Sequence, residues 1–358
     1  QDTIQITVPV QVKDTDGDSL TDASGSPDPV DVIVTINDGD DPKFTAVPSE
    51  PAKITESQEG NTVTPGDLVL DTGSDNIDAL TFNLSDAQLA ALNALTSNGQ
   101  DTSIDLSEDG VITVYIPAQF GGADIPVLVI TLDNTKKDGS YTIDQHNPID
   151  QPDSESINLD FNVVATDMDG DSDDAMISVT INDGANAHSD TVTAEISVTE
   201  GDLDNKGTSN AYPLPTFGSG SFNVVAVSDD LVAKSLTIND YAGFKASVEG
   251  MNLTSDGKPV TIDQNLVVNP ATGVITITGM ANGAIVFTLI LTPTLQANGD
   301  VTVSMEIKQY ASLDHPDTTD GTNNLINITV PIQLQDTDGD YLVAADGTTD
   351  APINVEVT

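Results

Sequence analysis

Apolar residues recur at every second position through much of this chain, as they do in strands with one face buried and the other in water. Val192, Ala194, Ile196 and Val198 alternate with polar partners, and Val301, Val303 and Met305 repeat the pattern. Asn-Gly, Asp-Gly and Gly-Gly pairs bound these runs and read as turns. Many short strands punctuated in this way predict antiparallel β-sandwiches. One helix interrupts the pattern. Ser85-Asp86-Ala87-Gln88 has the spacing of a capping box, Leu89, Leu92 and Leu95 follow on one face, and Gly99 offers a stop. The longest apolar runs, Ile125–Leu132 and Ala284–Leu291, fall far short of the roughly 20 residues that a membrane-spanning helix needs.

The strands belong to a repeat. Ile6–Lys13 leads into Asp14-Thr15-Asp16-Gly17-Asp18, Leu159–Thr166 into Asp167-Met168-Asp169-Gly170-Asp171, and Ile328–Gln335 into Asp336-Thr337-Asp338-Gly339-Asp340. A second apolar strand follows each motif, at Val32–Ile36, Met176–Ile181 and Ile353–Val357. Upstream, Gly110–Val114 parallels Gly273–Ile277, and Ile149–Asp153 parallels Leu313–Asp317. The repeating unit is therefore a whole domain of roughly 145–170 residues. Residues 1–43 hold the last two strands of one unit, 44–186 a full unit and 187–358 a second, longer one. Two strands cannot build a sandwich core alone, so 1–43 completes another domain by strand pairing or marks an edge.

Charge narrows the function. The 358 residues carry 58 Asp or Glu against 10 Lys and no Arg, a formal charge of −48. Such a field, without guanidinium groups, excludes nucleic acid and anionic lipid as partners. Cys is absent, so neither disulfides nor thiolate metal sites are available. His146, His188 and His315 share no position between repeats, since Gln151 stands where the longer unit has His315. No Gly-x-Ser-x-Gly elbow, HExxH or Walker loop is present, and no Trp exists to stack a sugar ring. The reading is of a non-enzymatic protein.

The Asp-x-Asp-Gly-Asp motifs carry the chemistry. Carboxylates at alternate positions around a tight glycine turn bring several hard oxygens to one point, as calcium at 2.3–2.6 Å requires. An EF-hand is excluded, because its glycine stands sixth and its glutamate twelfth, whereas here glycine is fourth and the twelfth residues are Gly25, Ser178 and Gly347. If the strands flanking each motif are the last two of an Ig-type sandwich, the motif lies at the end where the first strand enters. The linker leaving one unit is then delivered beside the motif of the next. Junction one would combine Asn37, Asp38, Asp40 and Asp41 with Asp167, Asp169 and Asp171. Junction two would combine Asn182, Asp183 and Asn186 with Asp336, Asp338 and Asp340. Asp14, Asp16 and Asp18 would serve a further junction. Glu56 and Glu200, early in each unit, are candidate ligands from the entering strands.

This arrangement resembles that of cadherins, whose linkers share calcium with an Asp pair of the next domain; Asn37-Asp38-Gly39-Asp40 fits that linker loosely and Asn182-Asp183-Gly184-Ala185 less well. The segment Leu313-Asp314-His315-Pro316, the strand 328–335 and the loop 336–340 are also similar to the approximately 143-residue repeats of type I-secreted RTX adhesins of Gram-negative bacteria. That resemblance covers nearly the whole chain. It implies tandem Ig-like or cadherin-like sandwiches joined by short calcium-binding linkers, cell adhesion and biofilm roles, and secretion to the bacterial surface. It carries over Asp167, Asp169, Asp171, Asp336, Asp338 and Asp340 as calcium ligands. The glycine-rich nonapeptides of the family are absent, so an internal piece is expected; a basic, apolar leader is also absent, which agrees equally with type I secretion and with a fragment. The expected role is a monomeric extender, stiffened by calcium between adjacent repeats, with the host-cell or surface ligand bound elsewhere and no membrane insertion. The alternative makes 187–358 itself a module for a peptide, glycan or surface, with Tyr212, Phe217, Phe222, Tyr241 and Phe244 as its densest aromatic group.

Overall fold

The computed structural model describes residues 3–58, 60–63, 68–118, 122–151, 155–189, 193–198, 215–314, 326–343 and 353–357. The protein is all-β apart from short helical segments, as the alternation predicts. Three closing hairpins organise it, each antiparallel: Thr3–Val10 with Val30–Asn37, Ser156–Asp167 with Ser172–Asn182, and Ile328–Gln333 with Ile353–Val357. Every Asp-rich motif falls in the connection of its hairpin.

The second and third hairpins gain the same neighbours. Ala52–Thr55 lies parallel to the second strand of its hairpin, and Ile77–Phe82 lies antiparallel to the first. In the longer unit Thr193–Ile196 and Thr237–Ile238 take those two places. Each four-stranded sheet faces another. In the shorter unit the partner sheet has Val111–Ile116, Ile125–Leu132 and Tyr141–Gln145 at its centre; in the longer it is an eight-stranded sheet around Ile275–Ala281, Ala284–Leu295 and Val301–Gln309.

Burial follows the two-residue period. Val111–Ile116 alternates half-buried and buried, and so does Ile275–Ala281, because successive side chains leave opposite faces of a strand. The inward sets form two separate clusters, one running from Ala52 to Ile181 and the other from Ala187 to Leu342. Phe161 is fully buried in the first and meets Phe82 edge-on, with 6.1 Å between ring centroids. Phe161→Ala should cost about 3–5 kcal/mol, since the cavity left in a close-packed core closes only partly. By calorimetry this should lower one unfolding transition and leave the other in place; a single transition moving as a whole would mean that the cores melt together.

The first hairpin has no such support. Ile4, Ile6, Val8 and Val10 on one strand and Val32, Val34 and Ile36 on the other are 41–57% exposed, and among the described residues no further strand pairs with it.

The helix α1 spans Asp86–Asn93 with the predicted capping box: Ser85 Oγ accepts from the Gln88 N–H, and Gln88 Oε1 accepts from the Ser85 N–H. It stops before Gly99. Asn98 and Gly99 instead form the left-handed turn of a small hairpin, Thr96–Ser97 with Gln100–Asp101. A second helix, α2 at Tyr241–Gly250, went unforeseen because its apolar spacing is irregular and no Ser or Thr precedes it; Asp240 caps it from a left-handed backbone. The segment after α2 shows that the two helices are equivalent. Leu253-Thr254-Ser255-Asp256-Gly257 repeats Leu95-Thr96-Ser97-Asn98-Gly99, with the same turn and the same left-handed pair.

Candidate metal centres at the unit junctions

The motif turns are built alike. In each, the first aspartate bends back and accepts backbone N–H groups: Asp14 Oδ1 from Asp18 at 2.9 Å, Asp167 Oδ1 from Asp171 at 2.8 Å, and Asp336 Oδ1 from Asp340 at 2.9 Å. Gly17, Gly170 and Gly339 take φ of 96°, 104° and 96°, a left-handed backbone that L side chains resist. The turn thus fixes the first carboxylate by one oxygen and leaves the others to face outward.

A serine hydroxyl holds each linker. Asp40 N–H donates to Ser74 Oγ at 2.8 Å, and Ala185 N–H donates to Ser228 Oγ at 2.6 Å. A Cβ on Gly39 or Gly184 would lie 1.8 Å from the same hydroxyl, so each linker passes too close for any side chain. Each serine is followed by an aspartate, Asp75 or Asp229. Neither was foreseen as a ligand, and the signal was present: Ser74-Asp75 and Ser228-Asp229 stand at matching places before the helix in the two units.

At junction one, Asp38 from the linker, Asp75 and Asp169 offer carboxylate oxygens within 4.8 Å of one another, and so do Asp167, Asp169 and Asp171. Two oxygens bound to one calcium can stand at most about 5 Å apart, so both groups have the span of a calcium shell. The Asp167 carboxylate, bonded to Asp169, pushes Asp169 up to about 6, with burial and the charges of Asp38 and Asp75 adding to the effect. Partial burial and the charge of Asp41 raise Asp171. Asp40 lies on the linker strapped to Ser74, while Asn37 is exposed at the end of its strand.

Junction two is deeper. Glu56, Asp183 and Asp229 form one group within 4.8 Å, and Asp150, Asp229 and Asp338 another. Glu56, Asp150 and Asp229 are 4%, 6% and 4% exposed. Three of these carboxylates are tethered by one oxygen to a backbone N–H, each at 2.9 Å: Glu56 Oε1 by Ile149, Asp150 Oδ2 by Gly99, and Asp338 Oδ1 by Gln151. The second oxygen of each, together with Asp229 Oδ1 and both amide atoms of Gln151, is buried with no hydrogen-bond partner. Buried anionic oxygens left bare cost several kcal/mol each unless something positive meets them.

That cost shows in the acidities. Burial, above all, pushes Glu56 up to about 8 and Asp229 to about 9, and Asp338 to about 7. Burial likewise lifts Asp183 and Asp336 to about 6, each with neighbouring carboxylates adding repulsion. Among the described residues the lysines do not answer this charge: the two ion pairs, Lys136 with Asp133 and Lys245 with Glu249, lie elsewhere.

Several placements differ from expectation. Glu56 sits at the exit end of its unit, not the entry end. Its strand runs parallel to the last strand, pairing Thr55 with Asn182, so both deliver their ends to junction two. The motif at 336–340 does not gather on itself as the other two do. Asp338 turns instead to Asp150 and Asp229, held by the Gln151 N–H of the preceding core, while Asp336 caps its own turn. Asp340 meets the amide of Asn186 at 3.5 Å. Asn182 uses its carbonyl to accept the Glu56 N–H. Asp14, Asp16 and Asp18 form an exposed group of their own. Glu200 and His315 lie outside the described residues.

Of the aromatic group of the longer unit, Tyr241 and Phe244 pack together with 6.0 Å between ring centroids. Phe222 and Phe244 are buried in the core, Tyr241 bonds the Asp263 carbonyl, and Phe217 is exposed under Lys308 Nζ at 4.9 Å; Tyr212 lies outside the described residues.

No family model and no curated protein matches the chain. Among solved structures it is similar to mouse clustered PcdhgC3 EC1-3, with 12% identity, 99% of this chain and 76% of that one covered, and a TM-score of 0.24. Protocadherin Gamma C5 EC1-3 follows at 10% identity, the same two coverages and a TM-score of 0.23. The Bacteroides ovatus mixed-linkage glucan utilization locus SGBP-B, in complex with a mixed-linkage heptasaccharide, covers 89% of this chain and 71% of its own at 10% identity and a TM-score of 0.16. Overlaps this low establish no shared arrangement and leave the junction carboxylates to speak for function. Among the described residues no helix is long and apolar enough to cross a membrane.

Proposed function

We propose that this chain is a non-enzymatic extender segment of a large, RTX-type bacterial surface adhesin, secreted to the cell exterior and stiffened by calcium where its sandwich units meet. The units are 1–43, 44–186 and 187–358. The observation that carries the reading is the set of bare oxygens at junction two. Glu56, Asp150 and Asp183, from the first core and its exit, meet Asp229 and Asp338 of the second, with four of their oxygens buried and unpartnered. Calcium suits this donor set, since a hard cation taking six to eight oxygens matches clustered carboxylates better than any ligand of nitrogen or sulfur chemistry.

The mechanism is mechanical. Without cation, the carboxylates at a junction repel one another, and only a few direct bonds oppose them, such as Gln58 Nε2 to Asp230 Oδ1 at 3.2 Å and Gln151 N–H to Asp338. With cation, residues of both units share one centre and the units turn together. Extracellular calcium modules bind at roughly 10⁻⁴–10⁻³ M, which fills the sites outside a cell and leaves them empty inside. The reaching ligand of the adhesin is then held away from the cell by the row of stiff units.

Small-angle scattering tests this on the whole chain. The distribution of interatomic distances should be narrow in 5 mM calcium and broaden in excess EDTA at neutral pH. The same distribution in both would rule the reading out.

A further inference from the structure

The longer unit spends part of its extra length on a sheet face that the shorter unit lacks. In the shorter unit the strand Asn61–Val63 meets Tyr141–Gln145 in three residue pairs. In the longer unit the strands in those places, Thr216–Val225 and Val301–Gln309, meet in nine, and Ala284–Leu295 flanks them over the same length. Gln145 and Gln309 mark the common register, each buried and each paired with a strand on both sides. The added rungs turn short hydroxyls outward: Ser219 beside Glu306 and Ile290, then Ser221 beside Ser304 and Thr292. These residues line a groove of about 560 Å³. The next rung, Phe217 with Lys308, closes one end of it, and Lys308 Nζ stands 4.9 Å from the Phe217 centroid and 5.1 Å from that of Tyr310.

Three features set this face apart from a solvated sheet. Its floor is braced: a Cβ on the inward-facing Gly218 would lie 1.9 Å from the Ser197 carbonyl oxygen, so backbone of the opposite sheet rests directly on the strand. Its hydroxyls are uncommitted. On the closing hairpin of the shorter unit the outward Ser178 and Thr180 donate to Asp160 and Asn158 at 2.6 and 2.7 Å, whereas among the described residues those of Ser219, Ser221, Thr292 and Ser304 make no bond within the protein. Its aromatic end is kept in water, with Phe217 60% exposed in the rung where the shorter unit has Thr62.

Charge selects the ligand. A chain of −48 repels anions, and the Lys308 ammonium, drawn over the two rings, opposes cations. Hydroxyls donate and accept as those of a sugar do, and the exposed Glu306 carboxylate can accept two at once. Exposed rings offer the apolar contact that a sugar face needs. A peptide strand would add at an open edge, but Val301–Gln309, at the centre of the groove, is paired on both sides. We propose that this outward face of the longer unit binds a neutral glycan, with Ser219, Ser221, Ser304 and Glu306 bonding its hydroxyls and Phe217 and Tyr310 stacking on a ring. The site stands apart from the junctions and does not rest on the calcium reading.

An array of immobilised neutral, sialylated and sulfated oligosaccharides, with peptides alongside, tests this with the full chain in calcium. The wild type should bind neutral oligosaccharides alone. Phe217→Ala and Glu306→Gln should each weaken that binding about tenfold, as loss of one good contact does. Ser221→Tyr, which fills the groove, should abolish it, and Ser178→Tyr on the shorter unit should leave it unchanged. Melting curves show that each variant folds. If Ser221→Tyr does not, Phe217→Ala and Glu306→Gln decide, since both replace exposed side chains, and wild-type binding in both refutes the site. Binding to no neutral oligosaccharide, capture of acidic glycans or peptides instead, or neutral binding that survives in folded Ser221→Tyr overturns the proposal.

Discussion

In EDTA the melting temperature should fall by roughly 10 °C between pH 5 and pH 8, and in 10 mM calcium this fall should vanish or reverse. Junction two sets the sign. Glu56 is raised from 4.5 to about 8, Asp229 from 3.8 to about 9 and Asp338 from 3.8 to about 7, so the folded protein keeps these protons over a range where the unfolded chain has lost them. Where the native state binds more protons, stability declines with rising pH. The contribution of these groups is greatest below their unfolded values of 3.8 and 4.5, where both states are protonated, and is lost progressively up to about pH 9. A carboxyl whose pKa is raised by one pH unit contributes about 1.4 kcal/mol, and several kcal/mol in total at 2–4 °C per kcal/mol gives the expected fall. The excess of acidic charge over the whole chain acts in the same direction. Calcium reverses the trend because its ligands must be ionised, so affinity rises with pH. A site at 100 times its dissociation constant adds about 2.7 kcal/mol. Differential scanning calorimetry across pH in both buffers measures this; parallel curves in EDTA and calcium would show that the buried carboxylates meet no ion.

Glu56→Gln should have opposite effects in those two buffers. In EDTA at pH 8 the variant removes a buried anion, and the amide oxygen can still accept the Ile149 N–H that now bonds Glu56 Oε1. Its melting temperature should therefore rise by several degrees, since a buried charge without a partner costs more than a neutral isostere. In calcium the same change removes a charged ligand, and the stabilisation that calcium confers should fall by on the order of 2 kcal/mol. A crossing of this kind separates a ligand from a residue that only packs. Were Glu56→Gln to stabilise or destabilise equally in both buffers, the carboxylate would be a structural acid held by its backbone bond.

Much of this was legible in the chain itself. The two-residue alternation gave the strands, because a sheet with one buried face imposes that period wherever it occurs. The repeat of Asp-x-Asp-Gly-Asp gave the hairpin turns, since the first aspartate and the glycine are needed by the turn itself, whatever the carboxylates do afterwards. The capping box gave α1. The second helix was hidden because α2 begins at Asp240 in a left-handed conformation that no simple spacing encodes.

The carboxylate groups at the junctions were legible only in part. Asp38, Asp183, Asp169 and Asp338 follow from the order of strands and linker, which the repeat reveals. Asp75 and Asp229 share a place after a serine in the two units, but Asp150 did not stand out, because 58 acids leave any single aspartate without distinction. Only burial sorts them: most acids of this chain meet water, and Asp150 and Asp229 at junction two do not.

What the sequence by itself determined is the sandwich class and the presence of carboxylate-rich turns, because each of these depends on neighbours within a few residues. What only the tertiary structure decided is which acids face one another. The parallel pairing of Ala52–Thr55 with the last strand carries Glu56 to the far end of its unit, and the Gln151 N–H draws Asp338 away from its own motif. Both outcomes come from contacts between residues more than a hundred positions apart, where desolvation makes a carboxylate costly to ionise.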